Sequence, residues 1–519
     1  MNREEMLGRI ADSSQEWDFI VIGGGATGLG ITVEAASRGF NVVLLEQNDF
    51  AAGTSSRSTK LIHGGVRYLQ QGNISLVLEA LRERGVLKRN APHLVHDLPF
   101  IVPTYDWWEG PFYGVGLKLY DILAGKEGFG FSKILSQKET IKRIPTVEVD
   151  CLRGGVMYYD GQFDDSRLAI NLAQTAAEQG GTLINYIKVI RLLKQNDIIS
   201  GVIAHDLENN QEYELKARSV INATGVFSDS IRKMDEPTAQ PIIQPSQGTH
   251  IVLDKSFLPG ETAIMVPHTD DGRVLFAIPW HNRIIIGTTD TPVTDILLEP
   301  LPMEQEIEFL LKHTSKYLTK DPNSNDILSV FAGLRPLVGS VKNLNTAAIS
   351  REHVISISKT GLITIAGGKW TTYRKMAEET IDLALVVAQL KYHPSVSDTL
   401  QIHGYHNHAD KFGKLEDYGS DAPEIQNLVK KDPQLGEPLY NDSIICAEVV
   451  WAVKNEMART VEDFLARRRR TLFLDARASL EMAPAVAKLM AAELKKGINW
   501  EKSQIELFQK TANNYLVHP

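Results

Sequence analysis

Three glycines and one acid near the start of the chain have the types and spacing of a dinucleotide site. Residues Asp18 to Gly30 read DFIVIGGGATGLG, followed by a helical stretch to Gly39 and then by Asn41 to Glu46, NVVLLE. An apolar strand running into Gly23 makes the tight turn. Gly25 lets the backbone approach a pyrophosphate, and Gly28 lets the following helix pack closely on the sheet. The start of that helix offers N–H groups to phosphate. Glu46, closing the second strand, is placed to accept from ribose hydroxyls, and its charge disfavours the additional phosphate of NADP. The chemistry expected is redox chemistry on FAD or NAD.

The rest of the chain must position that cofactor against a substrate. Residues 50–72 form a loop rich in Gly, Ser, Thr and Arg, and 74–90 and 166–180 read as helices. An aromatic, glycine-rich stretch spans 100–125. Strands are expected at 187–193, 199–206 and 212–215, and an antiparallel sheet over 244–290. A later strand opens at Gly367 and Gly368 into a second glycine turn and a helix, whose N-terminus could stabilise negative charge on a reduced flavin ring. A single dinucleotide fingerprint plus this second turn favours FAD. Beyond residue 395 the pattern is helical, without strand signals. The expected fold class is α/β: a glutathione-reductase-like, Rossmann-type FAD-binding domain, an antiparallel-sheet substrate domain and a C-terminal α-helical domain. The FAD-binding parts (about 15–100, 150–240 and 345–395) interleave within 1–395 with substrate or cap parts (about 100–150 and 240–345), and 396–519 is the helical domain.

Composition narrows the function classes. A chain of 519 residues exceeds one ordinary core. A net charge of −9 speaks against a general nucleic-acid binder. Two cysteines, Cys151 and Cys446, provide neither a disulfide framework nor a CxxC pair, which removes dithiol-flavin reductases; each is expected to be a small buried hydrophobe. No apolar run reaches the roughly 18 residues of a membrane span. The acidic start, Met1 to Glu5, is unlike a signal peptide. A cytoplasmic protein with at most a peripheral hold on a membrane is expected.

Several longer motifs carry a family resemblance: GTSSRSTKLIHGGVRYL from Gly53, INATG from Ile221, QGTH ending at His250, IGTTD ending at Asp290, GLRP around Arg335, GGKWTTYR from Gly367 and ARTVEDFLARR from Ala458. Together they closely resemble the FAD-dependent glycerol-3-phosphate dehydrogenases, over nearly the whole chain. The resemblance implies oxidation of sn-glycerol 3-phosphate to dihydroxyacetone phosphate, with FAD reduced and electrons passed to a membrane quinone at the inner face of the cytoplasmic membrane. One departure is the unbroken run Arg467 to Arg470.

By the same resemblance Arg67, His250, Arg335, Arg351 and Lys369 converge near the flavin. Arg335 and Arg351 are assigned to the phosphate, since the guanidinium fork suits a doubly charged headgroup. Arg67, Tyr68 and Lys369 complete the substrate set. His250 is the candidate base, because an imidazole accepts a proton near neutrality; Lys369, among the arginines, is its rival, and Arg335 joins them in the catalytic set. The cofactor set implied is Gly23, Gly25, Gly28, Glu46, Thr54, Ser55, Ser58, Thr59, Lys60, Leu61, His63, Ala223, Thr224, Gly225, Gly333, Gly367, Gly368, Lys369 and Thr371, and no metal is expected. His403, His406 and His408 are taken as a solvated linker. Arg467 to Arg470 is taken as lipid-facing or salt-bridged to acids such as Glu462 and Asp463. Trp107 and Trp108 sit either at a bilayer interface or under the cap. Partners are the substrate, a quinone, a peripheral membrane contact and, compatibly, a second copy in a homodimer. The competing readings are a soluble oxidase that reduces oxygen, which usually carries an extra insertion, and an amine or amino-acid oxidase of the same fold, which needs fewer cations.

Overall fold

Strand Glu16–Ile22 is buried along nearly its whole length, which requires cover on both faces of its sheet. A computed structural model, describing residues 1–65, 73–267, 269–270, 273–339, 353–440 and 444–517, shows that cover. The sheet runs in the order His353–Ile357, Ile363–Gly367, Glu212–Asn222, Glu16–Ile22, Val42–Leu45, Thr182–Ile184. Its four central pairings are parallel. Helices Ala26–Ser37, Asp165–Glu178 and Tyr373–Val387 pack on it. Strands Ile187–Gln195 and Ile198–Asp206 form an antiparallel ribbon continuing from Glu212–Asn222. The dinucleotide turn is therefore at the carboxyl end of parallel strands, where open α/β sheets bind ligands.

The second sheet has ten strands and is antiparallel apart from one parallel pairing, between Ala263–Val266 and His96–Thr104. Its longest pairing joins Ile243–Asp254 to Ile327–Val338, with His250 opposite Phe331 and Ser246 opposite Arg335. Because side chains alternate along a strand, these four residues share one face. The other face packs Ile251, Leu253, Ile264 and Ile284 into a separate core.

Most of the expected elements are present: the helices at Ile74–Asn90 and Asp165–Glu178, and the strands that extend those anticipated between 187 and 222. The stretch 100–125 resolves into the end of strand His96–Thr104 and an amphipathic helix, Glu109–Ala124. Beyond 395 the chain is helical, with the added short ribbon Pro438–Tyr440 against Ile444–Ile445. Helices Cys446–Asn455, Ala476–Leu494 and Ile498–Asn513 share an apolar core with Val252, Trp280, Ile285 and Phe331, so they press on the sheet face that carries His250.

Three expectations need correction. Cys151 is exposed and Cys446 half-buried, so neither is a core residue. His403 is not in a solvated linker: its ring bridges Glu178, at 2.5 Å, and Asp421, at 2.8 Å, which pins the connecting segment to helix Asp165–Glu178. Arg467 to Arg470 do not line a lipid-facing surface, since Arg467, Arg468 and Arg470 are buried, whereas the expected salt bridges to Glu462 and Asp463 are made by Arg467 at 2.8 and 2.7 Å. Arg467 and Arg468 lie in a wide π-type turn over Asp463–Arg468, and Arg470 precedes the next helix.

Candidate active site

The glycine turn is tight for a steric reason. Gly23 has φ of +108°, and a first side-chain carbon there would stand 2.8 Å from the carbonyl oxygen of Ala223. At Gly28 the same carbon would overlap the Gly23 carbonyl oxygen, so only glycine lets the helix approach the turn. Gly25 caps helix Ala26–Ser37 with no side chain of its own, and Ser55 Oγ accepts from the Ala26 N–H at 2.9 Å.

These residues open into a cavity of about 1010 Å³. Its walls come from segments far apart in sequence: Gly23–Thr27, Glu46–Thr59, Ala223–Phe227, Gly333–Leu337 and Ile365–Thr371. Cross-links hold these walls in register. Thr54 Oγ1 donates to the Leu334 carbonyl at 2.7 Å, and the Trp370 indole donates to the Ser55 carbonyl at 2.9 Å. The His63 N–H donates to Thr371 Oγ1 at 3.3 Å. Glu46 accepts from the Gly24 N–H at 2.6 Å and from the Asn48 N–H at 2.8 Å, and burial raises its pKa above the usual carboxylate range.

Residues anticipated from the sequence divide three ways. Gly23, Gly25, Glu46, Thr54, Ser55, Ser58, Thr59, Leu61, His63, Ala223, Thr224, Gly225, His250, Gly333, Arg335, Gly367, Gly368, Lys369 and Thr371 all line the cavity. Gly28 and Lys60 do not. Gly28 acts one layer back, through helix packing. Lys60, with φ of +62°, turns its ammonium away into the protein, where it meets Asp165 at 2.7 Å and the Ser56 carbonyl at 2.8 Å. Burial lowers its pKa to about 7. Arg67, Tyr68 and Arg351 lie outside the described residues.

His250 is buried, with Nε2 2.9 Å from Thr59 Oγ1 and its ring stacked on Phe331 at 4.8 Å between centroids. Phe473, from the C-terminal helices, packs edge-on against Phe331. Burial, and then the positive charges of Lys60 and Arg335, hold the imidazole pKa well below its ordinary 6.5, so the ring is neutral at physiological pH. Arg335 is half-buried and braced: one terminal nitrogen donates to the Gln247 carbonyl and Asp290, both at 3.3 Å, the other to Thr288 Oγ1 at 3.2 Å and the Thr289 carbonyl at 2.9 Å.

Four contributors were not anticipated. Arg57 and Arg273 also line the cavity, and Arg57 is paired with Glu299 at 2.6 Å. Asp165 accepts from the Ser58 N–H, the Ser58 hydroxyl and Lys60, and so sets the turn that carries Thr59. Glu306 accepts from Thr249, Thr289, Thr291 and Gln247 at 2.7–2.8 Å and ties together the strand segments flanking His250 and Arg335. In the sequence both acids sit in the first turn of a helix, where a carboxylate reads simply as a cap. Among the described residues no cluster of three or more potential metal ligands occurs.

The donor set fits FAD: a glycine turn at a helix start, a carboxylate ending the second strand, a loop of hydroxyls, and a second glycine turn at Gly367, all around one cavity.

Comparison with known proteins agrees. The family model described as FAD dependent oxidoreductase matches residues 18–374, and the one described as C-terminal domain of alpha-glycerophosphate oxidase matches 358–505. The chain is 41% identical to the mitochondrial glycerol-3-phosphate dehydrogenase of Homo sapiens, across 100% of this chain and 75% of that protein. The Schizosaccharomyces pombe protein of the same name is 38% identical across 99% and 89%. Among solved structures, a glycerol-3-phosphate dehydrogenase from Bacillus halodurans complexed with FAD superposes with a TM-score of 0.82 at 27% identity, over 99% of this chain and 97% of that one.

Proposed function

We propose, from the premise that the chain belongs to the FAD-dependent glycerol-3-phosphate dehydrogenases, that it oxidises the C2 hydroxyl of sn-glycerol 3-phosphate through the groups around this cavity and passes the electrons to a membrane quinone. The observation that carries the reading is the joining, in one chamber, of the dinucleotide turn at Gly23 with a neutral buried histidine, Arg335 and Lys369.

When bound, FAD supplies the hydride acceptor. His250 takes the hydroxyl proton: it is uncharged, and the contact of its Nε2 with Thr59 Oγ1 at 2.9 Å orients the ring. Its low pKa makes it a reluctant base in the resting protein, and the doubly negative substrate brought beside it raises its proton affinity. Arg335 and Arg351 receive the phosphate end, with Arg67, Tyr68 and Lys369 at the other substrate oxygens and the flavin. Both terminal nitrogens of Arg335 already have partners, so a phosphate oxygen would replace the two 3.3 Å contacts, to Gln247 and Asp290, while the bond to the Thr289 carbonyl keeps the plane fixed. Residues 1–395 act as interleaved cofactor and substrate parts in this reading, with 396–519 as the helical domain.

A quinone dissolves in lipid, so the protein must reach a membrane. Among the described residues no helix is long and apolar enough to cross one. Helix Glu109–Ala124 offers another contact. Tyr113, Leu117 and Tyr120 face inward, while Phe112, Val115, Leu119 and Ile122 face solvent, flanked by Trp107, Trp108 and Phe131. Val115 is 73% exposed, Ile122 75% and Phe131 86%, a contiguous apolar face of the kind that lies in a membrane interface. The assignment is peripheral, at the inner face of the cytoplasmic membrane. A homodimer belongs to the same reading and is checked by sedimentation equilibrium.

The test of the acceptor is reoxidation. Protein reduced anaerobically with sn-glycerol 3-phosphate is mixed with a short-chain quinone or with air-saturated buffer. Fast reoxidation by quinone with little peroxide is expected. Faster reoxidation by oxygen with stoichiometric peroxide would favour the oxidase reading.

A further inference from the structure

Arg467, Arg468 and Arg470 are buried where they meet segments that wall the FAD cavity. Asp49, 0% exposed, lies in the wall segment that follows Glu46. Its carboxylate accepts from Arg467 Nε at 2.6 Å and from both terminal nitrogens of Arg468, and also from Asn185 at 3.2 Å. On either side of Asp49, Asn48 donates its N–H to Glu46, and the Ala51 N–H donates to the Gly24 carbonyl at 2.9 Å. Asp49 is therefore the fixed point between the ribose carboxylate and the glycine turn. Arg470 reaches the neighbouring segment: it donates to the Ser56 carbonyl at 2.6 Å and stands 3.4 Å from Asp165, which holds Ser58 and Lys60. Arg469 differs. It pairs with Glu448, within the C-terminal helices themselves, at 3.3 Å.

We propose that Arg467, Arg468 and Arg470 are positioning residues for the cofactor, a clamp by which the C-terminal helices hold the Glu46–Thr59 wall in the shape that receives FAD. None of the three lines the cavity, so they act through Asp49, Ser56 and Asp165. Guanidinium suits the task because its planar fork holds several oxygens at fixed angles. The inference requires only that the chain binds FAD and is independent of the substrate, the base and the electron acceptor.

The test uses full-length protein stripped of FAD and titrated with FAD, following quenching of flavin fluorescence. Two variants leave the remaining buried charges partnered. In Asp49→Asn, Arg467 keeps Glu462 and Asp463, and Arg468 keeps the Glu456 carbonyl and, at 3.9 Å, the Glu456 carboxylate. In Arg470→Gln, Asp165 keeps Lys60 and Ser58. Each is expected to weaken FAD binding by about tenfold or more, while Arg469→Gln binds like the parent and Arg470→Lys recovers part of the loss. The FAD-free variants should melt close to the FAD-free parent, because the clamp shapes the site rather than the fold. A smaller loss in either variant, an equal loss in Arg469→Gln, or a loss matched by a fall in FAD-free melting temperature would overturn the proposal.

Discussion

At the scale of single residues, the proposal that His250 is the base is tested through what surrounds it. Its ring is buried against Phe331, with Lys60 and Arg335 nearby, so its pKa is pushed down and the neutral form persists into mildly acid solution. A free enzyme that uses this base keeps kcat/KM for flavin reduction on lowering pH from 8 through 6.5, with its acid limb below that value. A lysine base in its usual range would instead lose rate already above pH 7. His250→Asn should slow flavin reduction by about 10²–10⁴ without abolishing binding of FAD, and a stopped-flow pH series on the parent and the variant reads both effects. The sequence made His250 a candidate through its motif, but the cause of its depressed pKa was not legible there. That cause is first the burial of the ring, against Phe331, and then the charges of Lys60 and Arg335, all from other segments. Lys60 illustrates the limit: its motif suggests a cofactor ligand, whereas its ammonium is bonded to Asp165, a residue more than 100 positions away.

At the scale of elements, the glycine turn, its helix and the strand ending at Glu46 were legible because each is set by local sequence: apolar runs, glycines and a terminal acid in register. The direction faced by Glu109–Ala124 was not, since aromatic and glycine content gives none; it comes from Tyr113, Leu117 and Tyr120 packing inward. Phe112→Glu combined with Ile122→Glu is expected to abolish cosedimentation with anionic phospholipid vesicles, leaving flavin reduction by substrate intact. Vesicle binding equal to the parent's would remove this helix from the membrane reading. The connection at His403 is a second case. Asp421 and Glu178 raise its pKa to about 9 against the desolvation of burial. A raised folded pKa stabilises fully below the unfolded value, near 6.5, and the contribution is lost as pH rises through 9. On this basis His403→Ala costs on the order of 2 kcal/mol below pH 6.5, and the difference from the parent shrinks toward pH 9.5. Denaturant unfolding at pH 6, 8 and 9.5 measures it.

At the scale of the whole molecule, the site exists only because two sheets close around one cavity, with the C-terminal helices packed behind the sheet face that carries His250. The cofactor turn belongs to the parallel sheet, His250 and Arg335 to the antiparallel sheet, and Phe473 supports His250 through Phe331 from the C-terminal helices. Motifs over 300 residues apart in sequence are thereby brought together, as Ser55 and Trp370 show by a direct bond. That assembly was implied by the resemblance, whereas the burial of Arg467, Arg468 and Arg470 was not, because a run of four arginines ordinarily belongs to a surface. The central claim is that this chamber couples FAD to the oxidation of a phosphorylated secondary alcohol. The measurement that tests it most directly is the visible spectrum of the FAD-loaded protein, taken anaerobically before and after adding sn-glycerol 3-phosphate, with glycerol and an amino acid as controls. Bleaching of the flavin band by the phosphate ester alone is the predicted result; a band that persists with it, or that bleaches equally with glycerol or an amino acid, would contradict the account.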